Sequence, residues 1–367
     1  MANQRNFFTL GDMNFFLLFS CFVASIGGFL FGYSLVTGSM LVVDPTFIDN
    51  FCVGVYGDKT QCYSTDTESQ PEDWVVFNTS FQGVFGLGSM VGSLMGAMFS
   101  DRLGRRVALL MASSLFLSGS IGTMFSGNEG GLFFSRMVEG LGAGMSATVS
   151  PVYVVEMSLR KNRGALSSLM PLSLTIGLLV ASAIGEALML VGLNWRTLLA
   201  VGAVPGLIML LGMLVVPETP RWLMIHSGYS SCEKVLKQIR SGDIKAEIMD
   251  MVANVGEDEM TLSYLLKQDG IIYRLVISCG IQICNQLMGI GALLSYGPLL
   301  IGGMNVVGRG YFTVALFAMA VVGTLGAACL MDTCGRRTLL LRGGVGMFVG
   351  HIGCASCYIA YDQTDNN

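Results

Sequence analysis

Histidine is almost missing from this chain, with two among 367 residues, and charge is scarce, with Asp, Glu, Lys and Arg together at 13%. The first shortage removes the usual nitrogen ligands, and none of the ten cysteines forms a metal-binding spacing with a histidine. The second excludes an ordinary soluble domain, which carries about a quarter charged residues. The deficit runs along the whole chain, so it points to many lipid-facing helices and not to one anchor. The net charge of −4 identifies no partner, because its placement matters more than its sum. No cofactor, metal, nucleic-acid partner or enzyme chemistry is expected.

Glycine and apolar residues fill the space that charge leaves: 48 glycines against 8 prolines, 52% hydrophobic residues, and a mean hydropathy of +0.62. Gly28–Gly32, Gly88–Gly92–Gly96 and Gly140–Gly144 repeat at four-residue spacing inside apolar stretches. Small residues so spaced let helix backbones approach where no hydrophobic force joins them, so packing seams are expected. Cys21, Cys279, Cys284, Cys329, Cys354 and Cys357 sit in apolar stretches and are expected as core filler. Cys52 and Cys62 lie in a polar loop, where a disulfide and two free thiols are both open. The N-terminus does not read as a signal peptide, because only Arg5 is basic and the apolar stretch from Phe15 to Val43 is too long.

A spanning helix needs about 20 mainly apolar residues. Nine segments meet that length: 14–43, 76–100, 106–126, 131–156, 164–190, 196–216, 271–302, 310–331 and 338–361. The expected fold is therefore all-α and polytopic, with the bilayer as a partner. Polar stretches at 44–75 and 217–270 interrupt it; the first is acidic, and the second holds Glu233, Lys234 and Lys237 in a pattern of short amphipathic helices. Basic clusters follow the second (Arg102, Arg105, Arg106), fourth (Arg160, Lys161, Arg163), sixth (Arg221) and eighth (Arg336, Arg337) segments. Basic loops face the cytoplasm, so the N-terminus is expected inside and the 44–75 loop outside.

The hexapeptide Asp101-Arg102-Leu103-Gly104-Arg105-Arg106 recurs as Asp332-Thr333-Cys334-Gly335-Arg336-Arg337, six segments later. Repeated halves are a common plan of membrane carriers, with the substrate between them near the midplane. On that plan the chain divides into a six-helix half at 1–216, a cytoplasmic linker at 217–270 and three helices of a second half at 271–367. The fourth segment ends in Pro151-Val152-Tyr153-Val154-Val155-Glu156, followed by Arg163-Gly164-Ala165-Leu166, and the sixth in Pro217-Glu218-Thr219-Pro220-Arg221-Trp222-Leu223. Asp101, Glu156, Glu218 and Asp332, with Arg105, Arg106, Arg163, Arg221, Arg336 and Arg337, could form a charge network that latches the cytoplasmic face. Ordinary salt bridges that only orient loops are the plainer reading of the same residues.

Together with Gly27-Gly28-Phe29-Leu30-Phe31-Gly32-Tyr33 and Gln282…Gln286, these motifs resemble the sugar-porter branch of the major facilitator transporters, in order along nearly the whole chain. The resemblance implies a rocker-switch carrier of a sugar or polyol working by alternating access. Against a family length of twelve helices, this chain reads as truncated after the ninth. It also departs from the family at specific positions. Proton-coupled members place an aspartate where this chain has Ser34, while their arginine is present as Arg136. A lone arginine at membrane depth costs about 2.5–3.5 kcal/mol on insertion scales, so it needs a counter-charge. Glu139, three residues on and on the same helix face, is the candidate. The family's sugar-binding glutamine of the fifth helix is replaced by Pro171. In the seventh, Gln282, Asn285 and Gln286 keep amides, Gly291 and Ser295 replace family side chains, and Tyr296 remains. The resemblance assigns Gln282, Asn285, Gln286 and Tyr296 to substrate, although they could equally bond helix to helix.

Three functions stay open: a facilitative carrier, a proton symporter in which Glu139 takes over from the lost aspartate, and a truncated chain with a regulatory role. The plasma membrane is the expected site, and the oligomeric state is not indicated. His351 is expected as a helix-contact residue, and the sequon at Asn78 as too near the membrane for glycosylation. Orientation gives the first test. A cysteine placed at Lys59 should react with an impermeant maleimide on intact cells, and one at Gln238 only after permeabilisation; reversed labelling overturns the topology.

Overall fold

The computed structural model describes residues 14–57, 59–63, 70–159, 162–240, 244–258, 270–289, 291 and 309–365. Six long helices come first: α1 Phe15–Val43, α2 Glu72–Leu103, α3 Arg105–Phe125, α4 Glu129–Met157, α5 Leu169–Val191 and α6 Arg196–Val215. Three short ones follow, α7 Pro220–His226, α8 Tyr229–Ile239 and α9 Lys245–Asp258. Then come α10 Ile271–Leu287, α11 Arg309–Cys334 and α12 Arg336–Asp365.

Among the described residues, seven helices are long and apolar enough to cross a bilayer, and α4 is not one of them. Its 29 residues still reach about 40 Å at the helical rise, more than a hydrocarbon core of about 30 Å. The reason for its lower hydropathy is position. α4 packs against α1, α2 and α3, so protein and not lipid surrounds Arg136 and Glu139. The expected seventh span, 271–302, is helical over Ile271–Leu287, and its remainder from 292 lies outside the described residues.

Glycine sets how closely these helices meet. A Cβ on Gly92 would stand 2.2 Å from the Leu141 carbonyl oxygen, and one on Gly144 2.0 Å from that of Ser89. Gly88 and Gly140 face each other in the same way, so α2 and α4 touch backbone to backbone. Gly28 and Gly32 do the same for α1 on α5, against Met170 and Leu174. Both repeated hexapeptides mark helix junctions: Gly104 between α2 and α3 has φ +98°, and Gly335 between α11 and α12 has φ +79°. Only a residue without a Cβ adopts that region freely, which explains the conserved spacing of the repeat within this chain.

After α1, Asp44 accepts from Thr46 N at 2.7 Å and starts a folded loop of short helices. Its Phe47, Phe51, Cys52 and Cys62 are buried against Trp74, Phe77, Phe81 and Trp195. Cys52 and Cys62 are disulfide-bonded, with Cα atoms 5.9 Å apart. Cys21 is buried, but Cys279, Cys284, Cys329 and Cys354 are exposed and so correct the expectation of core filler. They lie on α10–α12; α10 has no buried residue, whereas α11 buries Phe317 in one cluster with Tyr33, Val36 and Leu178.

The glycine seam is directly testable. Gly144→Ala should lose about 1–3 kcal/mol or more in thermal unfolding of the purified protein, because backbone blocks the new methyl. Gly86→Ala, with open space at its Cβ, should leave the melting temperature unchanged or higher.

Candidate functional site

Ser34 on α1 and Arg136 and Glu139 on α4 meet in the interior, all at most 2% exposed. Arg136 and Glu139 share a helix face, and Arg136 Nη1 donates to Glu139 Oε2 at 2.9 Å. The same Nη1 donates to Ser34 Oγ at 2.9 Å, and Nη2 donates to the Ser34 carbonyl at 2.6 Å. The Ser34 hydroxyl donates in turn to Glu139 Oε1. Both carboxylate oxygens are thus occupied. Phe81 and Phe85 of α2 lie over the guanidinium, with ring centroids 5.2 and 4.6 Å from its carbon. These two cation–π contacts and the carboxylate replace the lost hydration of a buried cation. Close approach of α3 closes the site from behind, since a Cβ on Gly119 would stand 2.4 Å from Glu139 N. Tyr33 beside Ser34 donates to the Leu198 carbonyl at 2.7 Å and ties α1 to α6.

A second cluster lies where α2 meets α3, beside the ends of α4 and α6. Arg105 pairs with Glu156 at 3.1 Å and with the exposed Asp101 at 3.5 Å. Glu218 takes a different part from the expected one. Its carboxylate accepts from the backbone N–H of Arg105 at 3.0 Å and of Arg106 at 3.0 and 3.1 Å. It caps the first turn of α3, where backbone donors have no partner within the helix. Arg106 turns away to the carbonyls of Met213 and Leu214, at 2.9 and 2.6 Å. Arg163, Arg221 and Arg337 are exposed. The side chains of Asp332 and Arg336 lie outside the described ones, so the α11–α12 copy of the network has no described geometry.

Residues that sequence reasoning passed over complete this face. Arg240, 7% exposed, grips Glu247 with two bonds of 3.0 and 2.9 Å and donates to the Met157 carbonyl at 2.9 Å. Asn14 Nδ2 donates to the Gln238 carbonyl at 2.7 Å. The end of α8 is thereby fastened to the start of α1 and the end of α4. The only prior signal was the amphipathic pattern of α8, which says nothing of these partners.

The amides of α10 are accessible on its surface. Gln282, Asn285 and Gln286 are exposed, and Tyr296 lies outside the described residues. They stand on a helix without buried residues, so the structure does not bring them to Ser34, Arg136 and Glu139. His351 is exposed as well, its Nδ1 2.8 Å from the Met347 carbonyl of its own helix.

A family model described as "Sugar (and other) transporter" matches residues 20–367. The chain belongs to that family. Sugar transport protein 1 of Arabidopsis thaliana is 31% identical over 363 residues, covering 95% of this chain and 67% of the relative. A putative metabolite transport protein of Bacillus subtilis, YwtG, is 32% identical over 281 residues, covering 76% and 61%. The H(+)/hexose cotransporter 2 of Parachlorella kessleri is 30% identical, covering 93% and 64%. This chain therefore spans about two thirds of the length of these relatives. Among solved structures, the proton:xylose symporter XylE bound to 6-bromo-6-deoxy-D-glucose superposes with a TM-score of 0.69 at 23% identity, covering 88% of this chain and 70% of that one. A double-Trp XylE mutant gives 0.73 at 22%, covering 87% and 70%. The fold is that of the major facilitator transporters, a multi-pass all-α membrane protein.

Within this family fold, Glu218 offers a pH test outside the membrane. Burial pushes its carboxyl above the ordinary value of 4.5, against the pull of the Thr219, Arg106 and Arg105 N–H groups and the Arg105 charge. A raised folded-state value gives stability that is full below the unfolded value and is lost as pH rises through the folded one. The melting temperature of the wild type should thus fall as pH rises through that window, and Glu218→Gln should flatten the slope. Glu218→Ala should cost about 0.5–2 kcal/mol, as for other lost helix caps.

Proposed function

We propose that this protein carries a sugar or polyol across a membrane by alternating access, equilibrating its solute without moving protons, and that it is a carrier and not an enzyme. Family membership and fold support carriage of a small solute. One observation carries the absence of coupling: Glu139 is held on both oxygens, by Arg136 and by Ser34. A symporter needs a group whose protonation changes between the outward- and inward-facing states. Ser34 does not titrate in the physiological range. Arg136 stays charged under any ordinary condition. A carboxylate paired throughout the cycle does not exchange a proton with each turnover.

The solute path in this reading runs between a first half at 1–216 and a second half beginning at 271, with 217–270 as the cytoplasmic linker. Gln282, Asn285, Gln286 and Tyr296 would present amide and phenol groups to solute hydroxyls, since each offers a donor and an acceptor. Asp101, Arg105, Arg106, Glu156 and Glu218 would latch the inner face and release as it opens, with Arg163, Arg221, Asp332, Arg336 and Arg337 beside them. The protein would lie in the plasma membrane with its N-terminus in the cytoplasm.

A second reading has a specific observation behind it. The Ser34–Glu139 contact puts an acid beside the very position where proton-coupled relatives keep theirs, so Glu139 could serve as a relocated proton site. Reconstitution in proteoliposomes separates the two. The expected result is saturable uptake of a labelled hexose, pentose or polyol that stops at equilibrium under an imposed pH difference, with no alkalinisation outside. Accumulation that vanishes in Glu139→Gln would replace the uniporter by the symporter.

A further inference from the structure

Of the described side chains on α10, α11 and α12, only Thr313 and Phe317 are buried. They stand four positions apart on α11 and so share one face of it. α11 packs against α5. Phe317, 1% exposed, enters an apolar cluster with Tyr33, Val36 and Met40 of α1, Leu178 and Ala181 of α5, and Leu198 of α6. Leu316 lies partly buried at its edge. Phe312, one turn and a residue earlier on the same helix, is 55% exposed. Among the described residues, one phenyl ring is thus the only fully buried apolar side chain that joins the later three long helices to the first six.

The seat of this ring is held together without it. α5 meets the backbone of α1 at Tyr33, where a Cβ on Gly177 would stand 2.4 Å from the Phe29 carbonyl oxygen and 3.0 Å from Tyr33 N. The Tyr33 ring fills the space over Gly202 of α6, and its hydroxyl donates to the Leu198 carbonyl at 2.7 Å. Phe29 stacks beside it, with centroids 6.0 Å apart. Each of these contacts lies within α1, α5 and α6 and needs nothing from α11.

We propose that Phe317 is the contact that holds the two halves of the carrier in the arrangement described here, and that it leaves its seat when they rock. The proposal rests on the carrier reading above, in which α1–α6 and α11 belong to opposite halves. Rocking then carries α11 along α5, while α1, α5 and α6 keep the seat in shape for the return. Lipid is as apolar as a phenyl ring, so withdrawal into lipid would cost little beyond packing. The seat lies between the halves, however, where this reading puts the water-lined solute path. Withdrawal there wets both the ring and its seat. Burial of a phenyl ring then favours the seated state by about tenfold or more. The ion pair of Arg136 and Glu139 lies within the first half and is not broken by this movement.

The test uses the full chain in lipid nanodiscs, with its other accessible cysteines replaced by serine. Spin labels on Val191→Cys, at the end of α5, and Tyr311→Cys, at the start of α11, sit at exposed positions outside the seat. Their distance distribution should show one dominant separation and a minor second one. Phe317→Ala should raise the second about tenfold relative to the first, and Phe317→Leu by less. Phe312→Ala, which removes the same ring from the exposed side of the same helix, should leave the distribution unchanged. A distribution that Phe317→Ala does not alter, with only a lower melting temperature, marks plain packing and overturns the proposal. An equal shift in Phe312→Ala overturns it as well. If the wild type equilibrates no sugar or polyol in proteoliposomes, the carrier reading fails by itself, and the distances still decide whether Phe317 holds α11 to its seat.

Discussion

A guanidinium with no access to water sets the terms for the first half of this protein. Arg136 must be matched in charge, in hydrogen bonds and in surrounding polarisable surface, or its helix does not stay at membrane depth. The fold meets each demand from a different element. Glu139 on the same helix supplies the charge, Ser34 on α1 supplies acceptors, and Phe81 and Phe85 on α2 supply the aromatic faces. Three helices are consequently fixed around one side chain. The glycines at 88, 92, 140 and 144 follow from the same requirement, because only close backbones bring both rings over the cation.

The aromatic cap between α1 and α2 belongs to this arrangement. Phe81 touches Arg136 on one side and lies 5.9 Å from the Phe47 ring on the other. Phe47 also packs at 5.3 Å, edge on, against Trp195 at the head of α6. The aromatic cluster thus runs without a break from the disulfide-bonded loop to the buried ion pair. Aromatic contacts of this kind add about 0.5–1.5 kcal/mol per pair beyond their area. The loop is a hydrophobic lid over the cation and not a loose connection.

What could be read from the sequence was what depends on spacing. Apolar runs gave the helices, with boundaries within a few residues of Phe15–Val43, Arg105–Phe125 and Arg196–Val215. Four-residue glycine spacing gave the seams, and three-residue spacing gave the Arg136–Glu139 pair, because a helix makes those positions neighbours. Partners on other elements were not legible. Glu218 bonds backbone more than a hundred residues away, where its own motif suggested an arginine side chain. No spacing marks Arg240 for its partners Glu247 and the Met157 carbonyl. The amides of α10 mark another limit of spacing. Their four-residue spacing correctly puts Gln282 and Gln286 on one face, but periodicity does not tell what that face meets.

The clamp at Arg240 has a mechanical meaning. It holds α8 and α9 to the end of α4, while Asn14 holds α8 to the start of α1, so both anchors belong to the first half. The short helices are therefore ballast on that half and not a spring between two. α11 packs against α5, so the later helices also bear on the first six directly. The clamp thus fixes α8 and α9 to α4, and Asn14 fixes α8 to α1.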